Sequence, residues 1–188
     1  MLNTLEHISS LAKVSYVFQD NPLGLGHAVL MAEEFIGDEA FAVLLPDDII
    51  SNSPGALKQM IDVYNEYSCG IVAVEPVPLE DIHNYGVISA TALNYRLHTI
   101  QGLVEKPDPE MAPSNLCIVG RYILPPTIFQ YLRETSPGSR NEIQLTDGLN
   151  LLLHEERLIA FEFKGDRYDG GTPLGLLKAP VRLPTDWF

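Results

Sequence analysis

Four short stretches set reactive side chains where apolar runs give way. Pro46-Asp47-Asp48 follows FAVLL, Asn84-Tyr85-Gly86 comes after IVAVEPV, Glu105-Lys106-Pro107 follows GLV, and Asp169-Gly170-Gly171 comes after FEFKG. In open α/β sheets ligands collect beyond the carboxyl ends of strands, so these are the positions to inspect for chemistry. Asp47 and Asp169 suit one hard divalent cation such as Mg²⁺, which takes one or two carboxylates and completes its shell with phosphate and water oxygens. Lys106 would add positive charge for a phosphate. Plainer alternatives stand beside each: a strand end or turn cap for Asp47 and Asp48, a solvated ion pair for Glu105 and Lys106, a simple turn for Asp169-Gly170-Gly171. His7, His27, His83, His98 and His154 show no ligand spacing, and no GxSxG or paired Cys and His marks a covalent nucleophile.

The stretch Gly24-Leu25-Gly26-His27 invites a phosphate-loop reading, since it lies between a β-prone run and a helical pattern. Its spacing argues otherwise. The third glycine of a dinucleotide fingerprint would fall at Val29, and no Gly-Lys-Ser follows. A helix-start turn in which Gly26 eases packing is the plain alternative.

The elements that must position these residues follow from periodicity. Residues 14–18 read as a strand, 25–35 as a helix, and 41–45 as a strand buried on both faces. Ser53 sits as an N-cap with Pro54 at the first helical position, the helix running to a stop at Gly70, and 71–74 is the next strand. Two strand-helix-strand units in succession predict an open sheet with parallel strands. Residues 85–89, 97–104 and 116–124 are strand-like without intervening helices, so this middle part reads as mixed or antiparallel. Helices return at 127–135 and 143–155, a strand at 158–164, and a short helix after Thr172. Residues 2–11 are expected to form at most a small covering helix.

The 188 residues suit one domain with a real core. Net charge is −13, which opposes an electrostatic grip on nucleic acid or on an anionic membrane surface. Cys69 and Cys117 are too few and too far apart for a disulfide framework or zinc site, so a reducing cytoplasm is the expected compartment. No apolar run reaches 18 residues, and the N-terminus lacks the pattern of a signal peptide.

In order along the chain, GLGHAV, LPDD, NYGVI, VEKP, SNLCIVGRYIL, NEIQLTD and YDGGTPLG closely resemble the bacterial UTP-glucose-1-phosphate uridylyltransferases, within the sugar-nucleotide pyrophosphorylases. The resemblance spans residues 14–179. It implies a Rossmann-like nucleotidyltransferase fold with a mixed, mainly parallel sheet. It also implies that Gln19 and Gly24 sit against uracil, Asp47 and Asp169 hold Mg²⁺, Gly86 lets the sugar approach the backbone, Glu105 accepts from sugar hydroxyls, and Lys106 contacts the glucose phosphate. Asn115 is a further sugar-side contact. The expected partners are UTP or UDP-glucose and glucose-1-phosphate, with no nucleic acid or membrane. A homo-oligomer is compatible with the family, although Pro180 and Pro184 are expected to interrupt a helix that continues there in its members.

One family feature is missing from these 188 residues: a first strand leading into a GxGTRxxP-type loop that cradles the triphosphate. The expectation is therefore a single, partial nucleotidyltransferase domain, weakly active or inactive alone. A non-catalytic UDP-sugar or sugar-phosphate binding module is the alternative. The strands flanking the missing one are expected to expose backbone groups and apolar faces unless another segment or chain fills the slot.

Overall fold

A computed structural model describes residues 10–138 and 141–182. The expectation for residues 2–11 falls almost wholly outside them. Two short helices, α1 (Leu25–Leu30) and α2 (Glu33–Ile36), lead to β1 (Phe41–Leu44) and β2 (Asp48–Ser51). Then come α3 (Ala56–Tyr67), β3 (Gly70–Pro76), β4 (Gly86–Ala92), β5 (Leu97–Glu105) and β6 (Leu116–Leu124). The chain continues through α4 (Ile128–Glu134), α5 (Leu145–Leu152), β7 (Leu158–Glu162), β8 (Asp166–Asp169) and α6 (Pro173–Arg182).

Six strands form the main sheet in the order β1-β6-β3-β7-β5-β4, and β2 pairs with β8 in a small second sheet. The expected mainly parallel sheet is corrected here: β3 and β7 are the one parallel neighbour pair among the described strands, and the rest are antiparallel. A helical crossover fixes the relative direction of the strands it joins but not their adjacency. β1 and β3 run the same way, as a connection through α3 requires, yet β6 lies between them and is antiparallel to both.

Side-chain alternation puts the core on both faces of β3. Val72 and Val74 face the layer of α4 and α5, with Ile128, Leu132, Leu145 and Leu149. Ile71 and Ala73 face α3, with Ala56 and Met60. Every one of these side chains is buried. That two-sided burial explains why β3 reads as an unbroken apolar run.

Other expectations need correction. Residues 14–18 form no strand; Tyr16 is 83% and Phe18 84% exposed, because no neighbouring strand is paired with them among the described residues. β1 is not buried on both faces: it pairs with β6 alone among the described strands, and its residues alternate in exposure, Ala42 and Leu44 facing outward. The helix after Pro54 begins at Ala56 with Gly55 as its N-cap, and Ser68, left-handed at φ 50°, ends it rather than Gly70, which is already in β3. The helix at 25–35 divides in two at Met31 and Ala32. Pro180 does not interrupt α6, which runs on to Arg182, and Pro184 lies outside the described residues.

Candidate functional site

A cavity of about 490 Å³ opens where β1, β5, β8 and the α5 N-terminus converge. Its size suits a small organic ligand. Asp47, Gly86, Glu105, Lys106 and Asp169 all line it. Gln19, Gly24 and Asn115 do not: Asn115 is exposed, and its carbonyl accepts from the Val77 amide at 3.0 Å.

Asp47 and Asp169 meet through the small sheet, which neither its short strands nor their flanks announced in the sequence. Asp48 lies opposite Asp169 in the β2–β8 ladder, and the Gly170 amide donates to the Asp47 carbonyl at 2.6 Å. A Cβ placed on Gly171 would stand 3.1 Å from Asp169 Oδ1 and 3.4 Å from Asp47 Oδ2, so the two carboxylates flank one point. Asp169 is oriented by the Gly171 amide on Oδ1 at 2.9 Å and by the Tyr85 hydroxyl on Oδ2 at 3.3 Å.

Arg167 organises the floor of the cavity, a role that the sequence reading missed. Its guanidinium donates from Nε to Asp48 and from Nη1 to Glu75 at 2.6 Å, lies 5.1 Å from the Tyr85 ring centre, and stands 3.9 Å from Asp169 Oδ2. Burial works against its charge, but Asp48, with Glu75 and Tyr85, overrides that and holds its pKa above the ordinary arginine value. A signal was present: Arg167 and Asp169 are two residues apart, so any strand there puts both on one face. Arg121 braces the turn around Asp47 without lining the cavity, donating to the carbonyls of Leu45 at 2.6 Å and Gly120 at 2.8 Å, and to that of Asp48.

On the opposite wall Gly86 and Glu105 are cross-strand partners in β4 and β5. A side chain at position 86 would crowd Glu105 Oε2, 3.2 Å away, and Ile118 Cδ1, 3.0 Å away. That same Oε2 accepts from the Thr146 hydroxyl at 2.7 Å, so the carboxylate is held in place. Lys106 follows in the left-handed region at φ 46°, its amide donating to the Tyr85 carbonyl at 3.0 Å. Non-glycine residues rarely adopt this conformation, and here it ends β5 with a half-exposed ammonium 3.8 Å from Glu105 Oε1.

The cavity is acidic. Asp47, Asp48, Glu105, Glu142 and Asp169 line it against two cations, Lys106 and the already paired Arg167. A phosphate entering would meet excess negative charge, so the donor set fits a ligand that arrives with a divalent cation, and two carboxylates without histidine or cysteine fit Mg²⁺. Among the described residues no cluster of three or more His, Cys, Asp or Glu side chains is placed to hold a metal, so a cation there would need phosphate and water for the rest of an octahedron.

The Gly24-Leu25-Gly26-His27 turn serves a neighbouring segment. The Gly26 amide donates to the Ile143 carbonyl at 2.9 Å and the Ile143 amide to the Leu23 carbonyl at 2.7 Å. Gly24 has φ 97°, and a Cβ there would fall 2.8 Å from the Ile143 carbonyl oxygen. Both facts demand glycine. The turn thereby fixes the segment that brings Glu142, Gln144 and Thr146 to the cavity.

The nucleotidyl transferase family profile matches residues 1–185. A UTP–glucose-1-phosphate uridylyltransferase of Bacillus subtilis (strain 168) is 45% identical over 182 residues, covering 97% of this chain and 61% of that protein. A crystal structure of UDP-glucose pyrophosphorylase complexed with UDP-glucose superposes with TM-score 0.92 at 47% identity, covering 96% of this chain and 69% of that one. A UTP-bound enzyme of the same kind from Acinetobacter baumannii superposes with TM-score 0.83 at 38% identity, covering 96% of this chain and 64% of that one. The chain thus spans about three fifths of the curated Bacillus relative's length. No described helix is long and apolar enough to cross a membrane.

Proposed function

Because the chain belongs to the nucleotidyl transferase family, among the UTP–glucose-1-phosphate uridylyltransferases, we propose that its cavity takes UDP-glucose, or UTP with glucose-1-phosphate. The observation that carries this reading is the convergence of Asp47, Asp169, Gly86, Glu105 and Lys106 on one cavity. The reaction would join a phosphate oxygen of glucose-1-phosphate to the α-phosphorus of UTP. The bond from that phosphorus to the bridging β-phosphate oxygen breaks, and pyrophosphate leaves.

No protein nucleophile is required, so the chain's work is positioning and charge neutralisation. Lys106 would pair with the sugar phosphate. Glu105, held by Thr146, would accept from sugar hydroxyls, and Gly86 leaves the sugar room beside the backbone. Gln19 and Gly24, at the turn preceding the cavity-lining Leu25, would face the uracil. Asp47 and Asp169 would hold Mg²⁺, which supplies charge neutralisation across the phosphates. Asn115 stays on the outer sugar side at most, since it does not line the cavity. The reading carries with it a cytoplasmic location.

A second reading follows from one sequence fact: these 188 residues contain no GxGTRxxP stretch. The chain alone would then bind a UDP-sugar without appreciable turnover. Pyrophosphate release from UTP and glucose-1-phosphate with Mg²⁺, set beside calorimetric titration with UDP-glucose, separates the two. Turnover favours the transferase. Binding without turnover favours the binding module, and neither binding nor thermal stabilisation at millimolar ligand sinks both.

A further inference from the structure

The Gln19 side chain is held in one orientation. Its amide nitrogen donates to the Gly24 carbonyl at 3.1 Å and contacts His27 Nδ1 at 2.9 Å. A primary amide nitrogen has two N–H donors, and these two acceptors use both. With Nε2 as donor, His27 must be the neutral tautomer that carries its proton on Nε2 and accepts at Nδ1. The Gly24 carbonyl is also fixed: it accepts from the Ala28 amide at 3.1 Å, and Gly24 itself is clamped against Ile143. Gln19 Oε1 takes no hydrogen bond from any other described residue. The half-buried Gln19 therefore offers a ligand an acceptor and no donor.

We infer that His27 is a specificity-determining positioning residue, which locks Gln19 so that the chain selects pyrimidines carrying an N3–H, uracil and thymine alike, over cytosine. This rests on the reading above in which Gln19 faces the base. Uracil and thymine both present N3–H as a donor to Gln19 Oε1. Cytosine presents a bare N3 lone pair, which would face the carbonyl oxygen as acceptor against acceptor. An unlocked glutamine could rotate its amide and donate to cytosine N3 instead. The lock is what converts an adaptable amide into a selective one, because rotation would set Gln19 Oε1 against the Gly24 carbonyl and would require His27 to shift its proton from Nε2 to Nδ1. The 5-methyl group of thymine lies away from N3, so this pair alone does not separate uracil from thymine.

The test is calorimetric titration of the chain and its variants with UDP and CDP in the presence of Mg²⁺. The wild-type chain is expected to favour UDP by about tenfold or more, the usual consequence of leaving a polar partner unsatisfied. His27→Leu, which cannot accept, should reduce that preference to within about threefold, while His27→Gln, whose side-chain oxygen can accept from Gln19, should restore it. A full preference retained in His27→Leu would overturn the inference. Gln19→Ala distinguishes the two levels of failure: preference lost in Gln19→Ala but kept in His27→Leu leaves base reading by Gln19 intact and removes the lock, whereas preference kept in both removes Gln19 from the base. If neither nucleotide binds measurably, ¹⁵N NMR of the free chain decides. Unprotonated Nδ1 and protonated Nε2 on His27 support the lock, and a proton on Nδ1 overturns it.

Discussion

Arg167 donates from Nε to Oδ1 of Asp48, and this buried ion pair fastens the strand that follows Asp47 to the strand that ends at Asp169. Both side chains are at least nine-tenths buried. Removing one partner leaves the other charge uncompensated, so Arg167→Met should cost about 3–5 kcal/mol in chemical denaturation. Pairing it with Asp48→Asn should recover part of the loss. A cost below about 1 kcal/mol for the single variant would show that the pair does not hold the small sheet.

Gly120 supports the same carboxylate from the other side, its amide donating to Asp48 Oδ2 at 2.6 Å. A Cβ there would stand 2.6 Å from that oxygen and 2.6 Å from Leu45 Cβ. Gly120→Ala should therefore destabilise by about 1–3 kcal/mol, as overpacking does. It should also weaken Mg²⁺-dependent UDP-glucose binding by displacing the Asp47 turn. Thermal unfolding and calorimetry read the two effects separately, and a neutral substitution would mean the turn is slack.

Asp169→Ala should reduce UDP-glucose affinity at least about thirtyfold in the presence of Mg²⁺, the scale of losing a charged partner. Uridine binding without metal should be little changed. Equal loss of both would mean that Asp169 acts through its Tyr85 and Gly171 contacts, as a structural residue.

Lys106→Met should weaken glucose-1-phosphate binding by about tenfold to a hundredfold, the range for a hydrogen bond to a charged group. The variant keeps the long apolar stem, so melting temperature should scarcely move. An unchanged dissociation constant would return Lys106 to a surface pair with Glu105.

Burial, with a smaller push from Glu75, raises the Cys117 thiol to about 11 from an ordinary 9.0, against an opposing pull from Arg167. Because the folded value is the higher one, the thiol's contribution to stability is complete below pH 9 and fades as pH climbs toward about 11. In a Cys69→Ser chain, thiol labelling at pH 8 should proceed only as fast as unfolding exposes Cys117. Rapid labelling of the native protein would contradict that protection.

Local signals made much of the chain legible. β6 has the bounds its apolar run indicated, and β3, β4, β5, β7, α4 and α5 lie within a few residues of their patterns, since alternation and helical spacing report which faces must leave water. The residues after β1 and at the ends of β5 and β8 do line one cavity, because strand ends are where an α/β chain can present polar groups without burying them. Residues 14–18 misled because β propensity needs a neighbouring strand to complete its hydrogen bonds, and none is paired with them among the described residues.

The sequence by itself determined most strands of the main sheet, the helices that pack on them, the family and the types of side chain at the strand ends, because these depend on short-range periodicity and residue chemistry. Only the tertiary structure decided that β6 inserts between β1 and β3, that Arg167 locks Asp48 beneath Asp47 and Asp169, and that the Gly24 turn clamps Ile143 while its carbonyl and His27 fix Gln19. Those relationships join residues up to 119 positions apart, and no local pattern encodes which of many compatible partners a strand edge or a buried charge will find.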